Sequence, residues 1–259
     1  MPDLGMPKHR PMMTVDLEAY SLRTNSQQAT AQENLSSVLA IAAAAAGLAR
    51  EGWLIQQTGD GEFSVLPGGT PVGTLAETFI PELCLALAAH NHRPKPSPWT
   101  RLRLRLALHE GPIRTDGAMG VPGGHAVQVN RLADAQAVRD ALRLCPGADL
   151  AVIVSDRVFN DYLSDGYGSL SPAEFRQVHV RAKSDTYTAY LYVAGCDLHE
   201  LADLDAYAPG PPAAEEPRPL PAGPGTLVYG SAHKITDSVV NETHEGDINV
   251  GDISLGGKH

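Results

Sequence analysis

Apolar positions along this chain fall into short blocks whose spacing switches between two residues and three or four. The stretch "RPMMTVDL" predicts a strand beginning just after Pro11, because Met12, Met13 and Val15 form an apolar run that ends at Asp16. From about Thr30 to Arg50, "TAQENLSSVLAIAAAAAGLAR" is rich in the strong helix formers Ala and Leu, and Thr30 with Glu33 fits a capping box. "GWLIQQ" and "EFSVLP" read as two short strands joined by "TGDG", whose Asp60-Gly61 step is a hairpin signal. "GTLAETFIPELCLALAAHNHR" predicts a second amphipathic helix, bent near Pro81 because proline removes a backbone donor. "TRLRLRLALHEG" alternates Leu with Arg, as a strand with one buried and one wet face would. A Gly-rich loop, "GPIRTDGAMGVPGG", leads into a helix over "HAVQVNRLADAQAVRDALRL". "ADLAVIVSDRVFNDYL" predicts a buried strand entering a short helix capped at Ser155 or Asp156, and "EFRQVHVRAKSDTYTAYLYVAG" two antiparallel strands around "AKSDT". This succession of strands and helices predicts an α+β chain, a mixed sheet with helices packed on its faces.

Near Gly195 the periodicity stops. We therefore divide the chain into a flexible N-terminus (1–10), one folded domain (11–195), a linker rich in Pro, Ala and Gly (196–226) and a polar tail (227–259). The tail loosely alternates branched apolar residues with Asp, Asn, Ser and Thr, which suits either a disordered end or a strand that docks on a protein partner or on itself. With 259 residues and 43% hydrophobic content, the chain can bury a sizeable core. A formal net charge of −10 disfavours general binding to nucleic acid. Cys84, Cys145 and Cys196 are far apart and form no CxxC pair, which predicts buried thiols in a reducing compartment and gives no zinc signature. No uninterrupted apolar run reaches membrane-spanning length, so the expectation is a soluble cytoplasmic protein without a membrane segment.

Few residue patterns carry chemistry. The ten histidines show neither HxxxH nor HExxH spacing, "GDGEF" lacks the acidic run of a calcium loop, and no GxGxxG follows a strand. His109 reads as a half-buried strand histidine. Asp16 and Asp60 each admit two explanations, a turn aspartate or a carboxylate presented to a cation.

Taken in order, "VDLEAYS" (Val15 to Ser21), the "TGDGEF" hairpin, and "LRLALHEG" followed by "GHAVQVNRLADA" resemble the core blocks of class III nucleotide cyclases, the adenylate and guanylate cyclase catalytic domain. The resemblance covers roughly Pro11 to Gly195, and it implies a ferredoxin-like cyclase-homology fold with a mainly antiparallel sheet. It implies two metal carboxylates, Asp16 at the end of the first strand and Asp60 in the hairpin, holding Mg²⁺ or Mn²⁺ in a two-metal site. It also implies a phosphate cradle of backbone amides over Leu17, Glu18, Ala19, Tyr20 and Ser21, with Ala19 standing where Gly is usual.

Departures fall at the base and at the transition state. Gln56 occupies the place of a purine-reading Lys, and its partner position falls near Val121, which offers no hydrogen bond. The family's Asn and, four residues later, Arg are met by Arg131 with Val127 four before it. Gln128 lies three before Arg131, on a shared helix face, whereas Asn130 is expected about 100° away on a regular helix. Alternatively Arg131 is a salt-bridged helix arginine, with Asp134 or Glu110 as partner. The resemblance thus implies a divergent, stand-alone bacterial cyclase acting on a nucleoside triphosphate as a homodimer with composite sites. An inactive cyclase-like module that binds a nucleotide or, through its tail, a protein partner is the alternative. Small cyclase-like proteins of bacterial signalling and anti-phage systems make pyrimidine cyclic nucleotides, with which the loss of purine-reading residues is compatible.

Overall fold

The structure, a computed structural model, describes residues 6–92, 98–118, 120–166, 168–182 and 185–209. The polar tail and the linker from residue 210 onward lie outside these residues, as do residues 1–5 and the tip of the last hairpin, whereas residues 8–10, expected as a flexible end, belong to the first strand.

A seven-stranded sheet organises the chain. Strand β1 (Lys8–Leu17) is followed by helix α1 (Asn25–Ala45) and the hairpin β2 (Leu54–Gln57) and β3 (Gly61–Val65). Helix α2 (Val72–Thr74) passes through a π-helical turn, Leu75–Phe79, into α3 (Ile80–Asn91), and strand β4 (Leu104–Ile113) follows. Helices α4 (Gly124–Ala133) and α5 (Gln136–Leu144), strand β5 (Leu150–Ser155), the short α6 (Asp156–Val158) and the hairpin β6 (Arg176–Ala182) and β7 (Asp185–Val193) complete it. The strand order is β2-β3-β1-β4-β5-β7-β6. Every pair is antiparallel except β4 with β5. The first four strands and their two helical connections make the ferredoxin-like split βαβ unit, so the fold is α+β with a mixed, mainly antiparallel sheet.

Both faces of the sheet are covered, and the strand alternation serves two cores. Met13, Val15 and Leu17 of β1, with Leu104, Leu106 and Leu108 of β4, pack under α1 and α3 around Leu39, Phe79 and Leu83. Met12, Ala107 and Ile153 face the other way, against Val129 and Leu132 of α4 and Val138 and Leu142 of α5. The helix Val72–Asn91 is long and apolar enough by length and composition to cross a membrane, but Ile80, Leu83 and Leu87 are fully buried in the first core.

Local boundaries differ from the sequence expectations for identifiable reasons. Helix α1 begins five residues before Thr30, because Thr24 caps it by accepting the Gln27 amide while the Gln27 side chain accepts the Thr24 amide. Pro11 lies inside β1 and not before it. Its carbonyl accepts from Leu66, and the register with β3 starts only at Met12, so the missing N–H falls where β3 has ended. The helical distortion precedes Pro81, at the π-helical turn. Strand β4 is buried on both faces: Arg101 and Arg103 precede it, and Arg105 within it is 9% exposed. The expected single helix after the Gly-rich loop is two, separated where Ala135 takes extended backbone.

Cys145 and Cys196 are bonded to each other, in place of the buried thiols expected, while Cys84 is free. Topology brings them together, since β7 pairs with β5 so that Val193 lies beside Ala151, and the cysteines flank those ends. Past Gly195 the chain stays packed through two 3₁₀ turns, with Leu198 and Leu204 in the second core and Arg176 donating to the Leu198 and Leu201 carbonyls.

His109 is fully enclosed, not half-buried, at 3% exposure. Its Nδ1 meets Ser155 Oγ at 2.8 Å and its Nε2 meets His125 Nδ1 at 2.8 Å, with the two imidazoles stacked. A single proton can lie between those two nitrogens, so the pair cannot be doubly charged in this geometry. Burial lowers the His109 pKa to about 3, helped by the nearby His125, Arg157 and His9 charges. The unfolded chain therefore binds the proton first, and stability falls as pH drops from about 6.5 towards 3. Denaturant titration should show about 1.4 kcal/mol lost from this source by pH 5.5. His109→Asn should flatten that pH dependence, whatever its cost at neutral pH.

Candidate functional site

The end of β1 forms one wall of a cavity of about 390 Å³. β1 is paired on both sides, so Asp16 faces Gly61 on β3 and Arg105 on β4. Asp60, immediately before Gly61, joins it: the Leu17 amide donates to the Asp60 carbonyl at 2.9 Å, and both aspartates line the cavity. Gly61 permits this approach, since a Cβ there would lie 1.9 Å from the Val15 carbonyl oxygen. The turn itself is made by Gly59, with φ of 92°.

The loop after β1 completes the wall. Ala19 adopts left-handed backbone, φ 56° and ψ 28°, at the position where glycine is the expected residue. Leu17, Ala19, Tyr20 and Ser21 line the cavity. The proposed cradle is shorter than the sequence implied, however. The Leu17 and Glu18 amides are spent on the Asp60 and Arg103 carbonyls, and the Glu18 carboxylate pairs with Arg103 at 2.6 Å. The Ala19, Tyr20 and Ser21 amides have no such backbone partner among the described residues. Gln32, which sequence reading did not single out, ties the two loops together by donating to Tyr20 Oη at 2.9 Å and the Gly59 carbonyl at 2.6 Å.

Helix α4 divides its three candidate residues differently from the expectation. Asn130, expected to turn away, lines the Asp16 cavity, accepts from Thr14 Oγ1 at 2.9 Å and donates to the Ala126 carbonyl. Gln128 lines a separate open groove of about 630 Å³ with His125, Asp185 and Tyr187. Arg131 is held by two residues of that groove, Asp185 at 2.5 Å and Tyr187 Oη at 2.7 Å, and not by Asp134 or Glu110. Gln56 reaches the Gly-rich loop, where a Cβ on Gly120 would lie 2.2 Å from its Nε2. A larger cavity, about 800 Å³, lies between α1 and the β2–β3 hairpin but includes neither aspartate.

Arg105 is the principal addition to the site. Sequence alternation assigned it to a wet face; instead it lines the cavity and bonds Asp16 Oδ2. Asp16 Oδ1 and Arg105 Nε are buried without a hydrogen-bond partner among the described residues. Burial lowers Arg105 to about 10, with Arg139 lowering it further and Asp134 opposing, which leaves the guanidinium charged at neutral pH. The described residues contain no group of three or more His, Cys, Asp or Glu suited to a metal ion. Two carboxylates, free loop amides and a buried guanidinium in one cavity are donors and charges suited to a polyphosphate with a hard cation.

No family model matches the sequence, and no curated protein does. The fold is similar to solved nucleotide cyclase catalytic domains. The guanylyl cyclase Cya2 shares 15% identity, covering 74% of this chain and 95% of that one, at a TM-score of 0.49. A bacterial light-regulated adenylyl cyclase shares 14%, covering 75% and 94%, at 0.49. The guanylate cyclase domain of RhGC from Catenaria anguillulae, in complex with GTP, shares 12%, covering 73% and 98%, at 0.47.

Two substitutions at this site should act with opposite signs. Ala19→Gly relieves the left-handed strain and should raise stability by about 0.5–1 kcal/mol. Gly61→Ala forces β3 from β1 and should lower it by about 1–3 kcal/mol. Thermal denaturation of the two variants beside wild type measures both.

Proposed function

We propose that this chain is a nucleotidyl cyclase that converts a nucleoside triphosphate to a cyclic mononucleotide and pyrophosphate, with Mg²⁺ or Mn²⁺ at Asp16 and Asp60. The observation that carries this reading is the single cavity that gathers Asp16, Asp60, the Ala19–Ser21 loop, Asn130 and Arg105. The residues fit a hard divalent cation: both carboxylates are oxygen donors, and Asp16 Oδ1 is a buried acceptor without a partner among the described residues. Magnesium commonly takes one or two carboxylates and completes its shell with water and phosphate, so two acidic residues suffice. When bound, the cation neutralises phosphate charge and makes the 3′-hydroxyl more acidic.

The chain's own groups have separable tasks. The Ala19, Tyr20 and Ser21 amides bind phosphate oxygens, and Arg105 is placed to take charge that develops on the departing pyrophosphate. Asn130 orients the sugar, and Gln56, which both donates and accepts, meets a base edge near the Gly-rich loop. The reaction joins the 3′ oxygen to the α-phosphorus as the bond from that phosphorus to the bridging oxygen breaks, so that pyrophosphate leaves and the 3′-hydroxyl proton passes to solvent. Homodimerisation belongs to the same proposal, with Gln128 on an open groove that a second copy would meet and Arg131 bonded to Asp185 and Tyr187 of its lining.

A specific observation favours a second reading, an inactive cyclase-like module that binds a nucleotide or, through the 227–259 tail, a protein. Arg105 already neutralises Asp16, and the residue four after Asn130 is Asp134, where the resemblance calls for Arg.

Purified protein incubated with each nucleoside triphosphate and Mn²⁺ separates the two. The cyclase reading expects a cyclic mononucleotide from at least one triphosphate, with Asp16→Ala and Asp60→Ala each slowing it by about 100-fold or more. Triphosphate binding without product would select the inactive module. Neither binding nor product would overturn both.

A further inference from the structure

We propose that Arg139 is a phosphate-binding residue of this cavity, delivered from α5 to the place along α4 where Asp134 stands; the proposal rests on the triphosphate reading above. Asn130 faces the cavity from α4, and a helix continues that face four residues later. The residue there is Asp134, whose carboxylate would repel an approaching polyphosphate. The break at Ala135 supplies the remedy. Helix α5 starts at Gln136, and Arg139 in its first turn reaches back to line the same cavity, with Nη2 on Asp134 Oδ1 at 2.8 Å.

Two features make this more than a surface ion pair. Arg105, Asp134 and Arg139 all line this one cavity, so the three groups converge on one space. Each guanidinium is held by a carboxylate of the same cavity, Arg105 by Asp16 and Arg139 by Asp134. The charged residues lining the cavity are three acids, Asp16, Asp60 and Asp134, and two bases, Arg105 and Arg139. If a cation takes Asp16 and Asp60, and Arg139 leaves Asp134 for a phosphate, both arginines become available to the polyphosphate. Asp134 then serves to hold Arg139 ready while the cavity is empty of anion. With its side chain 45% exposed, Arg139 can move without disturbing the core.

Equilibrium titration of the full chain with a fluorescent, non-cyclisable nucleoside triphosphate and Mn²⁺ tests this, with the corresponding monophosphate as a second probe. Arg139→Gln should weaken triphosphate binding about tenfold, the loss of one charge-assisted contact at a partly exposed site, and leave the monophosphate unchanged. Arg139→Lys should recover part of the loss. Arg143→Gln, one turn further along α5 and outside the cavity lining, should bind both probes as wild type does. Equal triphosphate affinity for Arg139→Gln and wild type would overturn the assignment while leaving the triphosphate reading intact. A wild-type chain that binds no triphosphate would overturn both together.

Discussion

Everything at the candidate site depends on the double pairing of β1. Because β1 lies between β3 and β4, its last polar residue, Asp16, is opposite Gly61 on one side and Arg105 on the other. A slip of one residue in either pairing would send Asp16 to the opposite face of the sheet. Gly61 makes the first pairing close, and the Asp16–Arg105 ion pair holds the second in a setting where a lone charge would be costly. The apolar residues of β1 on either side of this point, Val15 and Leu17, are fixed in the core beneath α1 and α3. The carboxylates are therefore held by the same contacts that hold the sheet.

This arrangement would reconcile an acidic chain with the proposed anionic ligand. At a net charge of −10 the surface as a whole repels phosphate, so attraction must be local. Under the proposed triphosphate reading the cavity would meet that need with two arginines, the loop around the left-handed turn at Ala19, and the oxygen donors Asp16 and Asp60. The Asp16–Arg105 pair gives the site two states in principle, one internally neutralised and one in which a cation takes over Asp16 and frees the guanidinium. Which of them dominates with nucleotide present separates the two proposed readings.

Much of the fold was legible in sequence, because apolar periodicity reports which face is buried. The βαββαβ order, the hairpin and the buried β5 are all visible in it. It failed where burial is two-sided or where a boundary depends on one hydrogen bond. The Leu-Arg alternation before and into β4 suggested a wet face, yet Arg105 is buried against Asp16, a partner 89 residues away that no local pattern reveals. The start of α1 turned on Thr24 and Gln27, an exchange that the nearer Thr30–Glu33 pair mimics in sequence. At the site, Asp16 and Asp60 could be singled out because strand ends and Gly-containing turns are local features. The roles of Asn130, Gln128 and Arg131 could not be apportioned, since one residue of helical phase exchanges the cavity for the groove, and the break at Ala135 has no proline or glycine to announce it.

The central claim is that Asp16 and Asp60 hold a divalent cation that Arg105 yields to. An anomalous-scattering crystal structure with Mn²⁺ and a non-cyclisable triphosphate tests it most directly. The account predicts manganese bound to both aspartates, with the Arg105 guanidinium turned from Asp16 to a phosphate. Triphosphate bound without manganese at these residues, and Arg105 still on Asp16, would contradict it.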